Sequence, residues 1–323
     1  MKLLLCADIR LGAICAENLD VKLSRKWQNA RTEKFVDLMD KAVQNHVRYV
    51  FLYGQLFGRE KIPESVVDQL FAAVKMDKHI QVVAFLTGDV YNRINYRNDL
   101  PENLHLICTQ TPDSYLDDDI ALRIEKGVTN LQLGDHPSLL IKKTVTDSFT
   151  LAGLEREETI PSFEPVGFED AQGKTFGFSI LEWDEEKVWP CTTVRNQTYG
   201  FREVELKILA GDGEKEILRK INKAIKDVPT DTFLRITMAG NSAFGLVLNG
   251  TALEAQLRGK IFFVEVHDNT IMDIDEETFE NDISLRSEFV RLALQDDSLS
   301  ESERNRLISC GWNVLNGKEV SAE

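Results

Sequence analysis

Short apolar runs alternate with helical stripes over the first 90 residues, and this pattern constrains the fold more than any other feature of the chain. Leu3–Ala7 is apolar without interruption, as a strand buried on both faces requires. Arg31–His46 places Phe35, Leu38, Met39, Ala42 and Val43 on one helical stripe. Tyr49–Tyr53 reads as a second buried strand, Val66–Val74 as a second helical face and Gln81–Thr87 as a third strand. The order β-α-β-α-β implies right-handed crossovers in a mainly parallel sheet.

The pattern changes between Leu104 and Glu182. Short runs separated by turns predict strands at Leu104–Cys108, Ile120–Ile124, Val128–Leu133, Leu139–Lys142, Phe149–Gly153 and Phe176–Trp183. Helical periodicity is scarce there, so these strands imply a second sheet packed on the first. Trp189-Pro190 and Arg195-Asn196-Gln197 read as a linker. Beyond it, strands at Val204–Leu209, Phe233–Met238 and Ile261–Val266 alternate with helices at Glu214–Ile225 and Thr251–Leu257. The end of the chain is acidic and helical, with Ile283–Leu294 and Glu301–Leu315 as its two helices. Ser300 with Glu303 forms the sequence signature of a capping box, while Gly311 argues against an uninterrupted second helix. The expected organisation is an α/β domain over residues 1–195, a smaller α+β domain over 200–270 and a helical tail over 271–323.

Hydrophobic residues make up 43% and charged residues 28% of the chain, as in ordinary globular proteins rather than disordered ones. The formal net charge of −15 speaks against strong unaided binding to nucleic acid, which favours a basic surface. The five cysteines, Cys6, Cys15, Cys108, Cys191 and Cys310, have no paired short spacing, which argues against a zinc knuckle or a disulfide framework and for a reducing compartment. The apolar start is too short for a signal peptide, and no run approaches the roughly 20 apolar residues of a membrane span. The expectation is a cytoplasmic protein with no membrane contact.

Three strand ends carry the functional signal: Ala7-Asp8-Ile9-Arg10-Leu11-Gly12-Ala13, Tyr53-Gly54-Gln55-Leu56-Phe57 and Leu86-Thr87-Gly88-Asp89-Val90-Tyr91. Ligands of open α/β sheets sit at the carboxyl ends of the strands, so these turns are expected to converge. Taken singly, each also reads as an ordinary turn that uses Gly and Asp for backbone geometry. In this order and spacing they resemble the calcineurin-like metallophosphoesterases, and most closely the SbcCD-type (SbcD-like) DNA repair exonuclease subunit. Arg31-Thr32-Glu33-Lys34-Phe35 and Lys174-Thr175-Phe176-Gly177-Phe178 extend the resemblance, which runs from Met1 to about Val266. It implies a two-sheet sandwich flanked by helices, followed by a capping domain. It also implies two Mn or Mg ions about 3.5–4 Å apart, which would activate water and clamp phosphoryl oxygens.

The family writes Asp-x-His-Leu-Gly, Gly-Asp-Leu-Phe and Gly-Asn-His-Asp at the three turns. By that match Asp8 keeps the first ligand, but Arg10 stands at a histidine, and a guanidinium offers a cation no lone pair. Gln55 stands at the bridging aspartate, Asp89 at the asparagine, Val90 at the histidine that assists the leaving group and Tyr91 at its acidic neighbour. The last motif, Gly-His-x-His, matches Gly153-Leu154-Glu155-Arg156, so Leu154 and Arg156 replace both histidines. His136 reads as a turn histidine. His46 reads as ending a helix, where a cation suits the dipole, His79, His105 and His267 lie at strand edges without ligand spacing, and Gly211-Asp212-Gly213 reads as a turn. No bound metal or other cofactor is expected; a reduced site for a single ion would use Asp8, Gln55 and Asp89.

Three functions follow. The first is a catalytically inactive scaffold or binding subunit, with an SMC-like ATPase as the partner that the resemblance implies. The second is a weak metal-dependent phosphoesterase or exonuclease. The third is nucleic-acid binding without cleavage, which the net charge does not favour. A homodimer is compatible with each. The tail resembles the segment by which the nuclease subunit reaches its ATPase, and Trp312 is its candidate anchor. The tail helices equally read as a pair packed on their own domain. If Asp8 and Asp89 lie close together without metals, Arg10 or Arg156 is expected between them, because unpaired buried charges are costly.

Overall fold

The structure is a computed structural model. It describes every residue except 60, 111–113, 118–119, 126–127, 134–138, 144–148, 153–157, 183–191, 196, 243–245, 247–249, 273–282 and 316–323. The chain forms two compact units, Met1–Thr198 and Tyr199–Glu323.

The first unit holds two six-stranded sheets. In the first sheet β1 (Lys2–Ala7), β2 (Tyr49–Tyr53), β3 (Gln81–Leu86) and β4 (Leu104–Cys108) run parallel. An antiparallel pair, β11 (Gly177–Glu182) and β12 (Thr192–Arg195), extends it beyond β1. The second sheet is antiparallel throughout and runs in chain order from β5 (Ser114–Leu116) through β6 (Ile120–Glu125), β7 (Val128–Leu133), β8 (Leu139–Lys143) and β9 (Phe149–Ala152) to β10 (Glu158–Ile160).

Strand periodicity of two divides the first sheet between two cores. Leu3, Leu5, Phe51, Val83 and Phe85 share one with Ile120, Leu122, Leu131 and Ile141, so the two sheets pack face to face. Leu4, Val50, Leu52, Val82 and Ala84 face the helices α1 (Val21–Gln44) and α2 (Glu64–Val74). Full burial of a side chain such as Phe35 or Leu70 in this layer stabilises by about 1.5–3 kcal/mol.

Helix α1 begins at Val21 rather than at Arg31, because Asp20 accepts from the Leu23 amide (2.8 Å) and caps it. Its first turns were invisible to periodicity: Trp27 is the only buried apolar side chain before Arg31. The segment after β3 also differs from a plain loop. Helix α3 (Gly88–Asn95) starts there at once and places Asp89 in its first turn.

The second unit is a parallel sheet of β13 (Gly200–Ile208), β14 (Thr232–Ser242) and β15 (Phe263–Met272). Leu206, Ile208, Leu234, Ile236, Met238 and Val264 pack on α5 (Glu214–Ala224) and α6 (Gly250–Leu257). The same unit includes α7 (Leu285–Leu294) and α8 (Glu301–Leu315), which meet at Val290, Ala293 and Ile308. The capping box is present: the Ser300 amide donates to Glu303 Oε2 (2.9 Å) and the Glu303 amide to Ser300 Oγ (3.4 Å).

Candidate functional site

The turns after β1 and β2 run side by side at the carboxyl edge of the first sheet. The Asp8 amide donates to Tyr53 O (2.9 Å), Arg10 N to Gln55 O (2.8 Å) and Leu11 N to Leu56 O (2.8 Å). Gly58 is required for this approach, since a Cβ there would lie 2.4 Å from the Ala13 Cβ. Asp8 and Arg10 both adopt the left-handed region, each at φ +49°, on either side of the fully buried Ile9. Such backbone costs about 1–3 kcal/mol per residue and persists only where its surroundings over-determine it.

Arg31 supplies much of that constraint. Its guanidinium is buried (2% exposed) and donates to four carbonyls: Ile9 O (2.9 Å from Nη2), Arg10 O (3.2 Å), Glu164 O (3.1 Å) and Pro165 O (3.3 Å). The Trp27 and Phe163 rings flank it, each 5.5 Å from its central carbon. Burial pushes its pKa down to about 10, against the pull of Glu164.

Asp8 is buried, and its Oδ1 accepts from the Gln55 amide (2.9 Å). Arg10 Nη2 lies 3.9 Å from Asp8 Oδ2, while Nη1 donates to Asp170 Oδ2 at 2.8 Å. Asp170 belongs to α4 (Phe168–Ala171); its Oδ1 accepts from Lys174 Nζ (2.7 Å) and its Oδ2 from the Val166 amide (3.1 Å). Burial raises the Asp170 carboxyl, but the Lys174 hydrogen bond and the Arg10 charge outweigh it and hold the pKa below the ordinary value. Burial raises the nearby Cys6 thiol well above its usual range, and the Asp8 charge adds to this.

Thus Asp8, Arg10 and Gln55 come together, though Gln55 contributes its backbone amide and its side chain is exposed. The turn after β3 bonds instead to the segment after β4, through Gly88 N to Gln110 Oε1 (3.2 Å) and Thr109 N to Leu86 O (2.8 Å). Asp89 is exposed there, and the chain of ion pairs through Arg10 does not include it. Val90 and Tyr91 pack against the helix-side core. Leu154, Arg156 and His136 lie outside the described residues. Trp312 packs on the cluster between α7 and α8.

Asp170, Lys174, Arg31 and Glu164 were not read as site residues, although Arg31 and Lys174 stand in runs that carry the resemblance. Asp170 is 160 positions from Arg10, and no local spacing links them.

Among the described residues, the donors at this edge do not fit a pair of divalent cations. One Asp8 oxygen is engaged by a backbone amide, and a guanidinium stands by the other. Among the described residues, no group of three or more His, Cys, Asp or Glu is placed to hold a metal. A guanidinium neither accepts protons at neutral pH nor acidifies a bound water. What this arrangement does is join the turns after β1 and β2 to α4 through charge-assisted hydrogen bonds. In comparisons with known proteins, the chain matches no protein-family model and no curated protein sequence.

Proposed function

We propose that this chain is a non-catalytic relative of the SbcCD-type metallophosphoesterases, acting as a scaffold or binding subunit for an SMC-like ATPase. On this reading the first unit is the metallophosphoesterase sandwich, the β13–β15 sheet with its helices is the capping domain, and the two last helices are the partner-binding tail. The observation that carries it is Arg10. Its guanidinium lies between Asp8 and Asp170, at the strand-end position where the family places a metal-binding histidine. Positive charge that an enzyme of the family takes from exchangeable ions is here covalently part of the chain. Binding is then the simplest remaining role for such a skeleton without its ligands. The tail supports it, since Leu285, Leu292, Leu307 and Val314 are exposed on α7 and α8.

The test has two arms. Purified protein is assayed for manganese-dependent nuclease activity, and a candidate SMC-like ATPase is co-purified with the full chain and with a chain ending before Ile283. The expected result is no nuclease activity, with ATPase recovery that depends on the tail. Metal-dependent cleavage would establish the weak-enzyme reading instead. Equal recovery with a folded, truncated chain would remove the tail from the interface.

A further inference from the structure

Helix α5 of the second unit breaks a local rule of charge placement. Opposite charges three or four residues apart support a helix, and like charges at that spacing weaken it. Lys215, Arg219 and Lys223 follow one another at spacings of four, with Asn222 three residues after Arg219 and Lys226 three after Lys223. All five residues are exposed. Ile217 and Ile221 of the same helix are buried in the core of the unit. The helix therefore fixes the direction of the cations, which form a row on its outer face. From Lys215 to Lys223 the row is about 12 Å long, at 1.5 Å per residue.

The row is little neutralised. Residues 214–226 hold five cations against two acids, Glu214 and Glu216, in a chain whose net charge is −15. Glu216 accepts from Arg219 at 2.7 Å, which leaves the Arg219 side chain 68% exposed. Lys220 lies off the row and pairs with Asp212, whose Oδ2 also accepts from the Leu209 amide (2.7 Å). Lys215, Lys223 and Lys226 have no ion pair among the described residues. Exposed acids bound the row at both ends, Glu214 before it and Asp227 and Asp231 after it.

We propose that the outer face of α5 is a docking site for a short acidic helical segment of a partner protein. Carboxylates four residues apart on such a helix repeat about every 6 Å along its axis, the spacing of the cations on α5. Docking would place opposite charges against a row whose members repel one another within the free chain. The acids at the two ends limit the length of the ligand. A nucleic acid carries its charge on in both directions, and even a single module bound to DNA buries roughly 600–1,000 Å². Its backbone would run from the row onto Glu214 at one end and Asp227 and Asp231 at the other, whereas a segment of two or three helical turns stays within them. The site shares no residue with the Arg10 cluster or with α7 and α8, and its argument does not depend on the proposed scaffold role.

The test is titration of the full chain with a synthetic helical peptide of Glu and Ala, with Glu at every fourth position over three turns. Its Gln counterpart and a short DNA duplex serve as comparisons, and calorimetry and amide chemical shifts are the readouts. Saturable binding of the Glu peptide is expected, weakening as salt rises, with shifts centred on α5. The double variant Lys215→Glu/Lys223→Glu is expected to bind roughly tenfold more weakly or worse, since two charges of the row are reversed. Its unfolding temperature is expected not to fall, because each new acid stands four residues from Arg219. Absence of saturable binding, equal affinity for the Gln peptide, unchanged affinity in the double variant, shifts centred away from α5, or tighter binding of the DNA duplex to α5 would each overturn the assignment.

Discussion

Asp170 holds two cations at once, Arg10 Nη1 at 2.8 Å and Lys174 Nζ at 2.7 Å, at a site where all three side chains are about five-sixths buried. Removing the charge of one member of such a group costs more than the group contributes, because the cations stay desolvated without a partner. Asp170→Asn is therefore expected to destabilise the first unit by about 2–4 kcal/mol at neutral pH, read by urea unfolding. The pH dependence has a definite sign. The folded-state pKa of Asp170 is depressed, so its contribution is present above the ordinary carboxylate range and is lost as pH falls through the lower, folded value. The difference between wild type and Asp170→Asn should shrink on acidification below roughly pH 4. A difference independent of pH would mean that the carboxylate acts by shape alone. Arg31 belongs to a different class: it satisfies carbonyls of two segments, Ile9-Arg10 and Glu164-Pro165, and faces no carboxylate within ion-pair distance among the described residues. Its depressed pKa reflects the cost of that burial, which the hydrogen bonds offset.

At the scale of elements, the helix expected over Glu301–Leu315 is found at those bounds, and Gly311 shows where packing outweighs a local rule. Glycine inside a helix costs about 0.8–1 kcal/mol relative to alanine, so its presence argues against the helix. Helix α8 nevertheless runs through it, because a Cβ at Gly311 would lie 2.2 Å from Phe289 Cζ on α7. Gly311→Ala should gain helix propensity yet lose stability in the second unit by about 1–3 kcal/mol, since the Phe289 ring must leave its place beside Val290 and Ile308. Hydrogen exchange in α7 and α8 would report it, and slower exchange in the variant would refute the account. Other elements were legible for plain reasons. Tyr49–Tyr53 and Leu104–Cys108 are found where expected, the first as an unbroken apolar run buried on both faces and the second as an edge strand broken only by the half-buried His105. Strand β14 extends to Ser242, beyond the Met238 expected, because its last residues pair with β15 through backbone groups that leave no apolar signature. Within the site, Asp8 and Arg10 were legible because they sit in one turn. Asp170 and Glu164 were not, because only the folded chain brings α4 and its approach beside β1.

At the scale of the molecule, the charges at the carboxyl edge of the first sheet decide whether it takes up divalent ions. Four ionisable side chains are linked there, Asp8 and Asp170 with Arg10 and Lys174, so their formal charges already cancel. A divalent ion on Asp8 would stand near the Arg10 guanidinium, which the Asp170 bond keeps in place. At about 5 Å and an effective dielectric near 20, that repulsion is about 7 kcal/mol. It would offset most of the affinity that one half-engaged carboxylate could supply. Any ligand that binds only the folded state raises stability by about 2.7 kcal/mol at 100 times its dissociation constant. Metal binding at this edge would therefore raise the melting temperature of the first unit by several degrees, on the order of 2 °C or more per kcal/mol. Millimolar manganese and an excess of EDTA are expected to give the same calorimetric transition for that unit. Arg10→His, which removes the repelling charge and supplies an imidazole, should make the transition respond to manganese if the guanidinium is what excludes it. A wild-type transition that rises with manganese and falls with EDTA would mean that the cations of the chain do not stand in for a metal.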